Sequence, residues 1–429
     1  MARKIIAIIG LIMVLVSYVQ PPSIIMGRLL SLMIVLSVVI PIINSLKTSD
    51  YHILVIFAFV SSYVIIPFNY FWFGKHIVVY DQCERLSTVY TVLQIMCVFH
   101  FLLLYNIKFS KKNKKAPPAL RYERNTTVFW ILVALSLIFT TFGSTGQTIF
   151  QAGSYGGSLG TRNAGSLFSY AIIPLSLCFI YSNTSLKRRI CYTCVAYFCA
   201  KDVLFGGRVE TLQLLLVLFF IHFQYIWTKK KILLLGVAGA FFMVAWGVFR
   251  SNVSMDMMDL LISVVGNYFS KDSAIDYQVG NAADVYYASV RIIYLIEKGI
   301  LDIHLRLSAL VLFFISAVVP YSFLPDVANL SSYLQEDYWS GGGGLGPVFF
   351  YAFAGIIGVV FFSVFISHSL NKFKRSDISK YTKYYLVLLL ATTPRWYAYY
   401  PIQLIKFCVV GTLFWFILNQ VFKKKKKTK

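Results

Sequence analysis

Five arginines and three carboxylates are the residues of this chain best suited to chemistry. Arg162 lies in QAGSYGGSLGTRNAGS, Arg208 in FGGRVE, Arg250 at the end of an apolar run, Arg291 in YYASVRIIY and Arg395 in TTPRWYAYYP. A guanidinium keeps its charge at any physiological pH and donates paired hydrogen bonds, which suits a phosphate or another doubly charged anion. Asp326 lies in SFLPDVAN, and Glu336 and Asp337 belong to the stretch QEDYWSGGGGLGP. A carboxylate held near arginines is ionised and can orient a hydroxyl or take its proton. Tyr338, Trp339, Trp396, Tyr397, Tyr399 and Tyr400 supply aromatic faces, which serve either as a membrane-boundary belt or as platforms for sugar rings. Four consecutive glycines, Gly341 to Gly344, either make a flexible hinge or expose N–H groups to an anion where the next helix starts.

The elements that must position these groups are membrane helices. Of 429 residues, 58% are hydrophobic and only 13% charged, and the mean hydropathy is +0.70. Soluble domains carry about a quarter charged residues. The apolar runs are long and continuous, which fits helices and not the short alternating segments of a barrel. The expected fold is therefore all-α: a single polytopic helical bundle over 1–429, with about 12 to 14 transmembrane helices at roughly 20 residues each and short helices in its external loops.

The net charge of +23 comes from clusters at the ends of apolar runs: Lys111, Lys112, Lys114 and Lys115, then Lys187 to Arg189, Lys229 to Lys231, Lys372 to Arg375 and Lys423 to Lys427. That is the pattern of cytoplasmic flanks next to membrane lipid, and it argues against a nucleic-acid partner. The seven cysteines are scattered, and Cys191 and Cys194, though spaced as CxxC, have no second pair nearby. They read as buried and inert. The six histidines never approach one another or an acid at ligand spacing, so no metal site or cofactor is expected.

With the basic loops fixed inside, the first four spans run about Ile5 to Val19, Ile24 to Ile43, Ile53 to Phe73 and Leu86 to Ile107. The start, Met1 to Lys4 and the apolar run behind it, reads as the first span, since no small-residue cleavage site precedes Pro21. Five more spans run about Val128 to Phe142, Ser166 to Tyr181, Ile190 to Phe205, Val209 to Trp227 and Ile232 to Phe249. The main external region covers 251–344. Within it, 285–320 forms either two short spans with Glu297 to Arg306 touching the cytoplasm or two amphipathic helices on the outer surface. Leu345 to Leu370 then spans inward, and Tyr384 to Thr393 with Ile402 to Phe422 make a last hairpin around PRWYAYYP. External loops should be poor in Lys and Arg, yet this threading puts all five arginines at or near the external side. Each alone could snorkel to the interface or pair with an acid such as Asp202 or Glu210. Together they point to a cationic pocket on the outer face.

The order of these features resembles the Wzy-type O-antigen and capsule repeat-unit polymerases, multi-spanning inner-membrane glycosyltransferases of the C superfamily. The matching elements are GSYGGSLGTRNAGSLFSYAIIP, the GGR turn of FGGRVETLQLLLVLFF, an external region ending VVPYSFLPDVANLSSYL, the glycine run with a later G-x-x-G in GGGGLGPVFFYAFAGIIG, and an arginine-bearing turn before the last span. They cover roughly Gly143 to Leu418. The chain departs from the family at Tyr321, where relatives carry an arginine after the proline, and at Tyr351, where they carry an acid. It also lacks the external-loop histidine of the related ligases, having only His304 upstream.

The resemblance implies a bacterial inner-membrane enzyme whose site faces the periplasm and whose substrates are two undecaprenyl-pyrophosphate-linked oligosaccharides. It implies Arg208 and Arg250, then Arg395, Arg291 and Arg162, on the pyrophosphate, and no metal. Asp326, Glu336 or Asp337 would serve the acceptor hydroxyl, and Tyr338, Trp339, Trp396 and Tyr399 would hold glycan. A chain-length regulator and a flippase would be its pathway partners. The rival expectations are a lipid-linked oligosaccharide flippase without chemistry and an O-antigen ligase.

Overall fold

The computed structural model describes residues 2–74, 83–110, 120, 123–143, 167–204, 207–239, 281–338 and 343–422. Every regular element among them is helical. A chain this apolar can satisfy its backbone in lipid only within helices or a closed barrel. The helices that carry the residues of interest are, in chain order, α1 (Ala2–Val19), α2 (Ile24–Thr48), α3 (Tyr51–Phe73), α4 (Leu86–Asn106), α5 (Thr126–Phe142), α6 (Ile172–Tyr181), α7 (Ser185–Leu204) and α8 (Val209–Ile221). They continue with α9 (Asn281–Glu297), α10 (Ile303–Ile315), α11 (Leu330–Tyr338), α12 (Gly346–Phe373), α13 (Lys380–Ala391), α14 (Thr393–Trp396) and α15 (Lys406–Val421). Among the described residues five stretches are long and apolar enough to cross a bilayer: α2, α3, α4, α12 and Pro401–Val421, which contains α15. Shorter apolar helices include α5, α8 and α10. The protein is an all-α polytopic membrane bundle.

The chain folds as two compact units. One comprises Met1–Lys115, Val265–Arg375 and Thr392–Lys406; the other comprises Ala116–Val264, Ser376–Ala391 and Phe407–Lys429.

In the first unit α4 and α12 lie side by side and parallel. Ser363 Oγ donates to the Phe99 carbonyl (2.9 Å), Asn371 Nδ2 to the Asn106 carbonyl (2.9 Å), and the Lys108 N–H to Asn371 Oδ1 (2.7 Å). α1 packs closely on α4, where a Cβ on Gly10 would come within 2.5 Å of the Phe101 ring. The basic end is fastened by buried Asp50, between α2 and α3. It accepts from Ser110 N (2.8 Å), Ser110 Oγ (2.7 Å), Thr48 Oγ1 (2.7 Å) and Lys374 Nζ (3.2 Å). Lys374 also donates to the Lys108 carbonyl.

Within 285–320 the chain forms two helices, α9 and α10. Arg85, just before α4, lies 5.4 Å from the ring of Tyr294 near the end of α9, so α9 ends where α4 begins. Its following turn therefore sits at the opposite end of α4 from the Asp50 cluster. α9 is buried within the unit: Val285, Tyr286, Tyr287, Ala288 and Val290 are fully buried. α10 is different: only Ala309 and Phe313 of it are buried, and Ile303, Leu307, Val311, Phe314 and Ile315 are exposed.

Candidate functional site

At the end of the first unit where α4 and α12 begin, two stretches singled out by sequence meet through their backbones. The Gly344 N–H donates to the Tyr399 carbonyl (3.1 Å) and the Gly346 N–H to the Tyr397 carbonyl (2.7 Å). On its other side the segment rests on α9, where the Leu345 N–H donates to Ser289 Oγ (2.8 Å). Glycine is required for this passage. Gly343 has φ +107°, and a Cβ there would stand 2.7 Å from the Tyr399 carbonyl oxygen; one on Gly346 would stand 2.5 Å from that of Trp396. The described glycines of the run thus act as a close-packing device, neither hinge nor anion cradle, while 341–342 lie outside the described residues. Pro347 then opens α12, where a missing N–H costs nothing.

Around this contact three cations share one ring. Arg85, Arg291 and Lys298 lie 5.4, 5.9 and 5.7 Å from the ring centre of Tyr294. Arg291 is held by hydrogen bonds to buried Cys83 Sγ (2.7 Å) and to the Tyr338 carbonyl (3.1 Å), and its Nε is buried without a hydrogen-bond partner. A guanidinium with an uncommitted buried donor retains capacity for an anionic oxygen. Arg395, on the short α14, lies 5.2 Å over the Tyr399 ring, and Lys406 lies 4.5 Å over Tyr321, one of the positions that departs from the family pattern. Sequence reasoning missed Arg85, Lys298 and Lys406.

The three carboxylates flank this region. Asp326 begins a single turn, Asp326–Asn329, which is tied to the arginine-bearing stretch by the Tyr400 hydroxyl donating to the Ala328 carbonyl (3.0 Å). Glu336 and Asp337 lie in the last turn of α11, next to Tyr338, whose carbonyl binds Arg291. All three are exposed. Of the aromatic residues expected to hold glycan, Tyr338 and Tyr399 are partly exposed at this region. Trp396 is a correction: it is fully buried, edge-on to Phe362, and offers no face to a sugar. Tyr397 is likewise buried and bonded to His100 Nε2 through its hydroxyl (2.9 Å). Trp339 lies outside the described residues.

The G-x-x-G of the sequence marks a break in α12. Ala354 (φ −140°, ψ 24°) and Gly355 (φ 62°, ψ −150°) leave helical geometry, and a Cβ on Gly358 would come 2.1 Å from the Phe350 carbonyl oxygen. The break frees carbonyls that lipid cannot hydrogen-bond. Arg306 of α10 supplies the donors: Nε to the Ala352 carbonyl (2.5 Å) and a terminal nitrogen to that of Tyr351 (3.0 Å). Arg306 was also missed, although an arginine within an apolar run is itself a signal.

In the second unit, Arg208 of the GGR turn precedes α8 and is half-exposed. Beside it the sequence buries several polar groups. Asp202 accepts from Thr211 N (2.9 Å) and Thr211 Oγ1 (2.8 Å), and the Gly207 N–H donates to the Asp202 carbonyl (2.8 Å). Glu210 accepts from Ser169 (3.3 Å), and Lys201 Nζ binds the carbonyls of Thr140 (2.8 Å) and Thr141 (2.7 Å) at the end of α5. Arg162 and Arg250 lie outside the described residues. Of the five arginines, Arg291 and Arg395 belong to the first unit and Arg208 to the second.

Fold and site together define a helical membrane protein with a cationic, aromatic cluster at one end of its first unit. No family model matches the chain, and no match is found among curated proteins or solved structures.

Proposed function

We propose that this protein is a bacterial inner-membrane glycosyltransferase that polymerises undecaprenyl-pyrophosphate-linked oligosaccharide repeats, with its site on the periplasmic face. The observation that carries the reading is the cluster of Arg85, Arg291 and Lys298 on Tyr294, next to exposed Glu336 and Asp337 and to the glycine segment bound against the Arg395 stretch. In the reaction, the hydroxyl at the non-reducing end of a new repeat attacks the anomeric carbon of the growing chain. The new glycosidic C–O bond forms as the C–O bond to pyrophosphate breaks. Undecaprenyl pyrophosphate leaves with the electron pair, and the hydroxyl proton passes to a carboxylate. Cations near the leaving group stabilise the charge that develops there, and loss of one such contact typically costs 100-fold or more in rate, about 2.7 to 4 kcal/mol. Asp326, Glu336 and Asp337 are the proton acceptors available at this end, and the resemblance also implies phosphate contacts from Arg208, Arg250 and Arg162.

The broken α12 supports a second reading, a lipid-linked oligosaccharide flippase, since interrupted spans are common at transport sites. Gene deletion separates them. Loss of the polymerase leaves single repeats displayed on the lipid A core, whereas loss of a flippase or ligase leaves none. Arg291→Gln, Arg208→Ala and Arg250→Ala should each abolish polymer at normal protein abundance, and a wild-type ladder in any of them removes that residue from the site. A deletion strain with bare core refutes the polymerase.

A further inference from the structure

The second unit holds a cavity of about 330 Å³ whose lining includes Glu123, Arg124, Asn125, Lys380, Tyr381 and Asn419. Its wall is organised. Lys380 Nζ pairs with Glu123 Oε1 (2.6 Å) and lies 5.3 and 5.2 Å from the rings of Tyr381 and Trp415. The Tyr181 hydroxyl donates to Asn419 Oδ1 (2.9 Å) and itself accepts from Trp415 Nε1 (3.3 Å), which fixes the carboxamide. Its other end, Nδ2, is buried with no hydrogen-bond partner. A buried unsatisfied donor costs about 1–3 kcal/mol, and Asn419, a residue of this wall, lacks an acceptor. The wall is also short of negative charge: Arg124 and Lys380 face one carboxylate, Glu123. In the sequence, Lys423 to Lys427 directly follow Phe422. Such clusters mark the cytoplasmic end of a bundle.

Acceptor-rich, anionic and compact describes a phosphate group. What lies beside the cavity indicates where that phosphate comes from. α15, which contributes Asn419, exposes Leu413, Phe416, Ile417 and Val421 (51, 43, 56 and 68%), an apolar surface suited to acyl chains. We propose that the cavity binds the phosphate head group of an anionic membrane lipid in the cytoplasmic leaflet, with its acyl chains along α15. This site is separate from the one proposed for polymerisation and does not depend on that reading.

The test is titration of phosphatidylglycerol, phosphatidylcholine and inorganic phosphate into the detergent-solubilised full chain, read by native mass spectrometry. Expected is one retained phosphatidylglycerol held in preference to phosphatidylcholine, and no displacement by inorganic phosphate. Asn419→Asp keeps the shape and the bond from Tyr181 but replaces the unpartnered donor with an acceptor. Arg124→Gln alters an exposed side chain and leaves folding intact. Each should weaken retention about tenfold or more, the loss expected for one charge-assisted hydrogen bond. Replacing Lys423 to Lys427 with glutamine should leave the preference in place. The proposal is overturned by equal retention of the two lipids, by unchanged affinity in both point variants, by a preference that vanishes with the lysine tail alone, or by inorganic phosphate competing as a ligand in its own right.

Discussion

Replacing Gly346 with alanine should destabilise the first unit far more than the same change at Gly344, two residues away. At Gly346 the added Cβ would stand 2.5 Å from the Trp396 carbonyl oxygen and 3.2 Å from the Phe362 ring. Neither neighbour can retreat, because Trp396 is fully buried with its ring packed edge-on against Phe362 (centroids 5.7 Å). Backing the start of α12 away would break the bond from Gly346 N–H to the Tyr397 carbonyl (2.7 Å). Overpacking of this kind costs about 1–3 kcal/mol, and the strained hydrogen bond about 1 more, giving roughly 2–4 kcal/mol. At Gly344 the first atom met is Cδ1 of Ile292 at 2.9 Å, the end of a side chain that can rotate, so the cost should stay below about 1.5 kcal/mol. Thermal unfolding of both purified variants in detergent, with membrane abundance as a second measure, reads the difference. If Gly346→Ala melts with the wild type, or Gly344→Ala is the worse of the two, the backbone contact between these stretches is not as described.

Arg306→Met should destabilise the protein by about 1–3 kcal/mol, because it leaves the Tyr351 and Ala352 carbonyls unsatisfied at the break; Arg306→Lys should recover part of that, and equal melting of all three proteins would remove the capping role. Gly358→Ala should also lower the melting temperature, since its Cβ meets the Phe350 backbone oxygen at 2.1 Å, whereas a neutral result would mean α12 is continuous. Burial pushes the Asp50 carboxyl up, but the Ser110 hydrogen bonds and the Lys374 charge outweigh it and hold the group below its ordinary value. A depressed folded value stabilises the protein above the unfolded value of about 4 and ceases to do so as pH falls below it. The wild type should therefore lose melting temperature more steeply than Asp50→Asn from about pH 4 downward, and parallel curves would refute that assignment.

The helical membrane fold was legible because lipid leaves so few alternatives: runs such as Ile24–Thr48 and Tyr51–Phe73 are apolar on nearly every side. What the runs did not reveal is where a helix stops being continuous. The run from Val348 to Leu370 looks unbroken by hydropathy, yet Gly355 and Gly358 divide it. Two glycines at that spacing signal either close helix packing or a break, and the choice rests on Arg306, 49 positions upstream by its own number. α9 was left open for the opposite reason. Its buried tyrosines and small residues resemble an amphipathic surface helix when their neighbours are unknown.

The site was half legible, and the missing half followed from the same rule. Counting arginines on the external side drew attention to Arg291 and Arg395, and both belong to the end of the first unit where the glycine segment packs. Arg85 breaks the charge rule as plainly as they do, since in the same threading it precedes a span that begins outside. Lys406 stands within the last apolar run, and an ionisable residue there is a site signal in its own right. Lys298 could not be placed until α9 was. The aromatic residues erred the other way: Trp396 and Tyr397 have the composition of a sugar platform, but a tryptophan is equally good filling for a bundle end. Only the contacts with Phe362 and His100 show that these two rings face inward. Charge carried more information than aromaticity here because burying an arginine demands several partners that the sequence rarely supplies by chance, whereas burying a tyrosine or tryptophan demands one at most.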